Sequence, residues 1–511
     1  MKHIAIIGAG ISGLVTAKVF LKAGHKVTVF EKAADLGGVW EKSRSYLGVA
    51  TQTTRDEYAF SDFPMPADYP LWPSGAQVQL YLRNYAYHFN VLDRIRFGTI
   101  VENISYTGEC WEVQYADLST DAFTKLSFDF VAVCSGTFHK PYVPVFPGQD
   151  SFIAAGGQIL HSSQVKDDSI LDSRHVAVLG FAKSATDIAT IAADKASSCT
   201  LLYRKAQWKV PRFFGGKINM RLLLFSRLSE AFFDSPKKSF GKKLLHSIGK
   251  PVVWAQWRGL EMLLKTQFKL KKCDMVPTHR VEDQISCSLG VAPEGFYEKV
   301  HSGAIIAKRT EIAGFNGIKI ILSNGETVKA DVLVCGTGFR QEIPFLEKKY
   351  QDKIKNENGY QLFRNIIHPQ IPALGFVGFN SSLFSTLTSE VAANWLLAHV
   401  EGRLRLPGKE EMEKEILFMA QWRNTSRPVS AEFSGTCVAP FNFLHLDALM
   451  KDMGLPRKVS RSLKEYLKPI NPADYRKLLA MAGHAAVNPE AWNNPKGEVV
   501  NRAEAAESIA G

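Results

Sequence analysis

The chain has 511 residues, 46% of them hydrophobic and 22% charged, and a formal charge of +12. That length and apolar content give buried cores and about two to four domains, and exclude a disordered or fibrous polymer. The positive balance favours anions such as phosphorylated cofactors or acidic lipid surfaces, but no arginine-rich tail, zinc finger or helix-turn-helix pattern supports a nucleic-acid partner.

A short apolar strand starts almost at Met1 in MKHIAIIGAG, which leaves no room for a leader peptide, and no stretch approaches the roughly 18 uninterrupted apolar residues of a membrane span. The expected location is therefore cytoplasmic, with peripheral membrane contact left open. The strand runs into GAGISG, a helix and a second strand ending at Glu31. Gly8 permits the turn, Gly10 lets the backbone approach a pyrophosphate, and Gly13 lets the helix pack on the strand. Glu31 lies 23 residues beyond Gly8, close to the roughly 20-residue offset at which an acid meets the hydroxyls of an adenosine ribose. Gly37 and Gly38, followed by Trp40, offer a second close backbone approach.

Phe130 to Cys134 has the apolar run of a buried strand, and Gly136, Pro141, Pro144 and Pro147 mark a structured exit toward a second unit. That unit repeats the first organisation in SRHVAVLGFAKSATDIA. Gly180 opens its turn, Ala182 replaces the middle glycine, Ser184 follows, and Ala185 takes the third small position. Arg204 lies 24 residues beyond Gly180 with Lys205 beside it, so the charge at the ribose position has reversed. A guanidinium there can fork onto a 2′-phosphate, which marks the second dinucleotide as NADPH and the first, with its carboxylate, as FAD. Asp187, inside the following helix, is expected to orient local structure.

The region from about Trp208 to Thr278 is basic and partly helical, and its LHSIGKPVVWAQWRGLEMLLKTQFKLKKCD, from Leu245, could cover a substrate channel or lie on lipid. Further on, VKADVLVCGTGF is expected to return the chain to the FAD unit, with Gly336 and Gly338 in a loop near that cofactor. SSLFSTLTSEVAANWLLAHVEG is expected to feed an amphipathic helix, and NPEAWNNPKGEVV reads as turn-rich extension. The fold expected is α/β with two Rossmann-like domains. Residues 1–160 and 331–511 form a discontinuous FAD domain with a C-terminal extension, and 161–330 form the inserted NADPH domain, itself carrying a helical insertion at about 208–278. Seven cysteines, none closely paired, suggest neither a disulfide scaffold nor a metal or dithiol site.

Together GAGISG, GGVW, GFAKSATD, YRK and CGTGF resemble the class B flavoprotein monooxygenases, in particular the flavin-containing (dimethylaniline-type) enzymes that act on nitrogen or sulfur. The resemblance covers most of residues 1 to 400. It implies FAD and NADPH, dioxygen and a small organic substrate, a C4a-peroxyflavin as the oxygenating species, and retained NADP that shields it. The linker fingerprint of this family is degenerate here: Gly157 and His161 are kept, while Ala155 and Val165 stand at aromatic positions. His161 is expected to orient the backbone between the cofactor units. In ATQTTRDEYAFSDFPMPADYPLWPSG, Gln52 falls where the nitrogen- and sulfur-oxidising enzymes usually carry asparagine, and Arg55 is a cationic neighbour, so these two are the catalytic candidates. Baeyer–Villiger oxygenation of a ketone is the nearest alternative. A flavin-binding interaction protein that has lost turnover is the non-enzymatic one, and self-association into a homo-oligomer is compatible with either.

Overall fold

The structure, a computed structural model, describes residues 1–120, 122–285, 290–427, 438, 440–456 and 463–482. Cys287, Cys437 and the NPEAWNNPKGEVV segment lie outside the described residues.

Ile4, Ala5 and Ile6 are fully buried, as expected of a strand with a neighbour on each side and layers on both faces. The strand His3–Ile7 is the middle of a parallel five-stranded sheet ordered Leu374–Phe376, Phe130–Val133, His3–Ile7, Lys26–Phe30, Ile95–Arg96. An antiparallel sheet of Thr99–Tyr106, Trp111–Asp117 and Ala122–Phe128 shares one core with it, in which Phe30, Trp111 and Phe128 are sealed from water. The helix Ile11–Lys22 packs against the helix Ser385–Val400. The latter was expected to be amphipathic, but it is buried on nearly every face, Thr386, Thr388 and Glu390 included. It is wedged between Ile11–Lys22 and the helix Asn442–Asp452, so only Ser385, Asn394 and His399 keep partial exposure.

The second sheet is also parallel, in the order Ile305–Arg309, Ser198–Tyr203, His175–Leu179, Val332–Cys335, Gln158–His161. This corrects the placing of VLVC. The strand Val332–Cys335, expected in the returning FAD unit, pairs instead with His175–Leu179, and Gln158–His161 joins on its other edge. A run that is buried on all sides carries no periodicity that tells one sheet from the other. The second unit therefore spans Gln158 to Cys335. Its insertion is mainly helical, comprising Arg221–Leu224, Arg227–Ala231, Phe240–Leu245 and Lys250–Gln267 between two strands of the sheet. The outgoing and returning crossovers between the units pair with each other, Lys140–Pro141 running antiparallel to Phe339–Arg340.

His445, on the helix Asn442–Asp452, is partly buried and meets the Asn380 amide at 3.1 Å. Burial, then the nearby Arg364, pulls its imidazole down to about 4. The unfolded chain protonates near 6.5, so below that pH it binds more protons than the folded one, and stability falls as the pH drops toward about 4. The loss is at most about 3 kcal/mol. Urea unfolding across that window should show a smaller loss for His445→Gln than for the natural protein. An equal loss would place the cost on other groups.

Candidate functional site

At the first turn, Gly8 has φ +105°, and a Cβ there would meet the Cys134 carbonyl oxygen at 2.7 Å. A Cβ at Gly13 would fall on the Gly8 carbonyl oxygen, so helix and turn touch through bare backbone. Gly10 and Gly38 face each other, a Cβ on Gly38 coming within 3.1 Å of the Gly10 Cα, and Gly37 N–H donates to Ala9 O at 3.0 Å. The two glycine turns thus form one floor. No side chain caps the helix that begins there, so its first N–H groups are available to an anion. Glu31 is buried, its carboxylate accepting from Ala9 N at 2.7 Å and Ala33 N at 2.9 Å. These bonds fix its orientation and leave lone pairs for ribose hydroxyls. Trp40 walls the floor, buried and donating to Tyr58 OH at 3.0 Å. The hydroxyls of Thr51 and Thr53 are buried without a partner among the described residues. A glycine floor, an uncapped helix, a poised carboxylate and unmet hydroxyls fit FAD. Arg44, in the electrostatic reach of Glu31, joins this wall and was not signalled by any spacing.

The second turn solves the same packing problem with the small residues exchanged. Gly180 has φ +122° and lies against the Gly336 carbonyl, and a Cβ on Gly336 would come within 2.5 Å of the Ala185 methyl. The first unit puts glycine on the helix, at Gly13, and Cys134 after the strand, its Cβ 3.6 Å from where a Cβ on Gly13 would stand. The second puts alanine on the helix and glycine after the strand. Ala185 is therefore compensated by Gly336. Ala182 is exposed at the N-terminus of the helix Lys183–Lys195, with an extended backbone that any residue adopts, and Ser184 is half-buried in the first turn. Arg204 has its side chain 78% exposed and, among the described residues, reaches only Glu311, at 4.0 Å. Lys205 is exposed beside it, so both cations are open to a phosphate. Asp187 accepts from Tyr46 OH at 2.7 Å and from Lys183, joining the first unit to the second helix.

Gln52 stands on the wall of a cavity of about 240 Å³, among Val210, Trp257, Leu260, Val291 and Phe384. Most of this wall belongs to the insertion. Gln52 Oε1 accepts from Val291 N at 3.2 Å, which fixes the amide orientation and leaves its NH2 without a partner among the described residues. Glu230 also lines the cavity, but its carboxylate caps the helix Asn442–Asp452 through Phe443 N and Leu444 N at 2.8 and 2.9 Å. Arg55 is not brought to the cavity: it donates to the Tyr69 carbonyl and pairs with Asp56 at 3.8 Å, which makes it a clasp within its own loop. The insertion is tied to this loop by Arg221, which meets Asp56 at 3.1 Å and the buried Glu57 at 3.2 Å.

His161 is buried at the crossover. Its Nδ1 accepts from Ser163 N at 3.1 Å, so Nε2 carries the hydrogen and donates to Gly338 O at 2.9 Å. Burial holds the ring below its usual pKa. His161 thus pins the start of the second unit to the loop through which the chain leaves it, and Gly338 takes part through its carbonyl.

Residues 1–436 match the family described as flavin-binding monooxygenase-like. The chain is 31% identical over 518 residues to the probable flavin-containing monooxygenase 1 of Arabidopsis thaliana, covering 93% of this chain and 96% of that one. Its fold is similar to that of S-allyl-L-cysteine S-oxygenase from Allium sativum, with TM-score 0.62, 19% identity and coverage of 100% and 98%. It is similar also to oxidized steroid monooxygenase bound to NADP, with TM-score 0.62, 17% identity and coverage of 97% and 98%. The two cofactor cradles and these likenesses agree: the chain belongs to the flavin-binding monooxygenase-like family, an enzyme family that uses FAD and NADPH.

Proposed function

We propose that this monooxygenase transfers one oxygen atom from dioxygen to a soft nucleophile, an amine nitrogen or a sulfide, held in the cavity beside Gln52. The observation that carries the reading is the Gln52 amide, locked by Val291 with its NH2 free on an otherwise mainly apolar wall. Bound FAD, once reduced by NADPH, activates dioxygen and supplies the transferred atom. The chain's own work is positional. Val210, Leu260 and Phe384 exclude water and favour the neutral, nucleophilic form of an amine or a thioether. Gln52 donates a hydrogen bond where the oxygen is handed over, and its anchoring removes the cost of orienting it during the reaction. Asp187 and Tyr46 hold the two units in register. The insertion, read from sequence as covering a substrate channel or lying on lipid, lines the cavity and also turns Phe240, Ile248 and Trp254 outward beside its lysines, which supports lipid contact as well.

Aerobic NADPH reactions with a panel of amines, sulfides and ketones test the substrate class. N-oxides and S-oxides are expected, and lactones or esters as the main products would assign the Baeyer–Villiger reaction instead. Gln52→Ala should lower product formed per NADPH by roughly fivefold or more with matching release of peroxide, the effect of losing one hydrogen bond of about 1 kcal/mol. Gln52→Asn should fall between. If both variants couple normally, the amide plays no part.

A further inference from the structure

Lys209 is the one cationic side chain in the largest fully buried set of the described core, 2% exposed. It lies on a two-residue strand, Lys209–Val210, paired with Gly290–Val291. Because neighbouring residues of a strand face opposite ways, Val210 lines the substrate cavity and Lys209 points to its other side. Its Nζ is 5.4 Å from the centre of the Phe181 ring, within the second phosphate turn, and 3.8 Å from where a Cβ on Gly290 would stand. Gln52 Oε1 is 3.4 Å from that same point. The amine therefore sits where the second cradle meets the Gln52 loop. It makes no hydrogen bond and no ion pair within 4 Å among the described residues. The charged groups facing it are Asp187, already engaged by Tyr46 and Lys183, and Lys183 itself, which opposes it.

A buried amine without an acceptor is costly unless a ligand completes it. The adenine end of the dinucleotide belongs with Arg204, and its pyrophosphate with the helix at Lys183. The remaining, nicotinamide-bearing half is then directed toward the first unit, where Lys209 stands. We propose that Lys209 is a further binding residue for NADP(H), donating from Nζ to an oxygen acceptor on the nicotinamide half of the dinucleotide. This rests on the assignment of the second turn to NADPH. In the free protein burial, relieved in part by Asp187 and aggravated by Lys183, brings the amine down to about 7. Arrival of an anionic, acceptor-rich ligand restores the ammonium, so binding draws a proton from solution above neutrality.

The test is calorimetry of NADP+ binding to the FAD-loaded protein in buffers of different ionisation enthalpy. Uptake approaching one proton is expected at about pH 8 and much less at about pH 6. Lys209→Met, close in shape and uncharged, should lose the uptake and bind NADP+ about tenfold more weakly while keeping FAD. Lys209→Gln, which retains a donor, should recover part of the affinity but none of the uptake. Unchanged affinity and uptake in both variants would overturn the role of Lys209 while leaving the second cradle intact. A natural protein that keeps FAD and binds no NADP+ would overturn the cradle assignment and this inference with it.

Discussion

Gly13→Ala is expected to give a protein that no longer holds FAD and that unfolds at a lower temperature. The added methyl would occupy the position of the Gly8 carbonyl oxygen, and neither atom can move without moving its element. The helix Ile11–Lys22 would have to lift from the strand His3–Ile7, which costs about 1–3 kcal/mol as overpacking. Lifting it also withdraws the helix N-terminus from the pyrophosphate. Loss of a cofactor held at a thousandfold over its dissociation constant removes about 4 kcal/mol more. Flavin absorbance of the purified protein and its thermal midpoint measure both effects. Retained flavin with a midpoint within about a degree of the natural protein would show that the close approach is not needed.

The second large effect is on choice of reductant. Arg204→Ala should reduce the preference for NADPH over NADH by roughly tenfold to a hundredfold, since a charge-assisted hydrogen bond is worth about 1.5–3 kcal/mol. The change should appear in kcat/KM for NADPH and hardly at all for NADH. The side chain is open to solvent and weakly engaged by Glu311, so its removal breaks little of the folded structure. Arg309 Nε donates to the Arg204 carbonyl at 3.3 Å, which positions that backbone whichever side chain it bears. An unchanged ratio of the two efficiencies would assign discrimination to other residues.

The two nucleotide units were legible because strand, glycine turn and helix are local patterns, and Glu31 and Arg204 sit at fixed offsets from them. The partner of Val332–Cys335 was not legible, because an all-apolar strand carries no address. The helix Ser385–Val400, expected to be amphipathic, hides its polar residues inside the protein instead: Glu390 is buried against Lys18 at 3.3 Å and accepts from Ser61 N at 2.9 Å. Gln52 was singled out by resemblance, while its anchoring at Val291 joins residues far apart in the chain. The exchange of glycine between Gly13 and Gly336 was equally hidden. Each turn alone reads as intact or degenerate, and only the contact between Ala185 and Gly336 shows why the second needs no third glycine. Arg55, close to Gln52 in sequence, is engaged within its own loop by the Tyr69 carbonyl and Asp56, contacts that sequence spacing does not signal.

The paired crossovers carry a mechanical consequence. Two strands bonded side by side, Lys140–Pro141 on Phe339–Arg340, resist sliding past one another far more than they resist flexing across their width. The two units are thus joined along one edge by backbone hydrogen bonds, and Tyr46 with Asp187, like Arg221 with Glu57, ties distant parts of the chain through side chains.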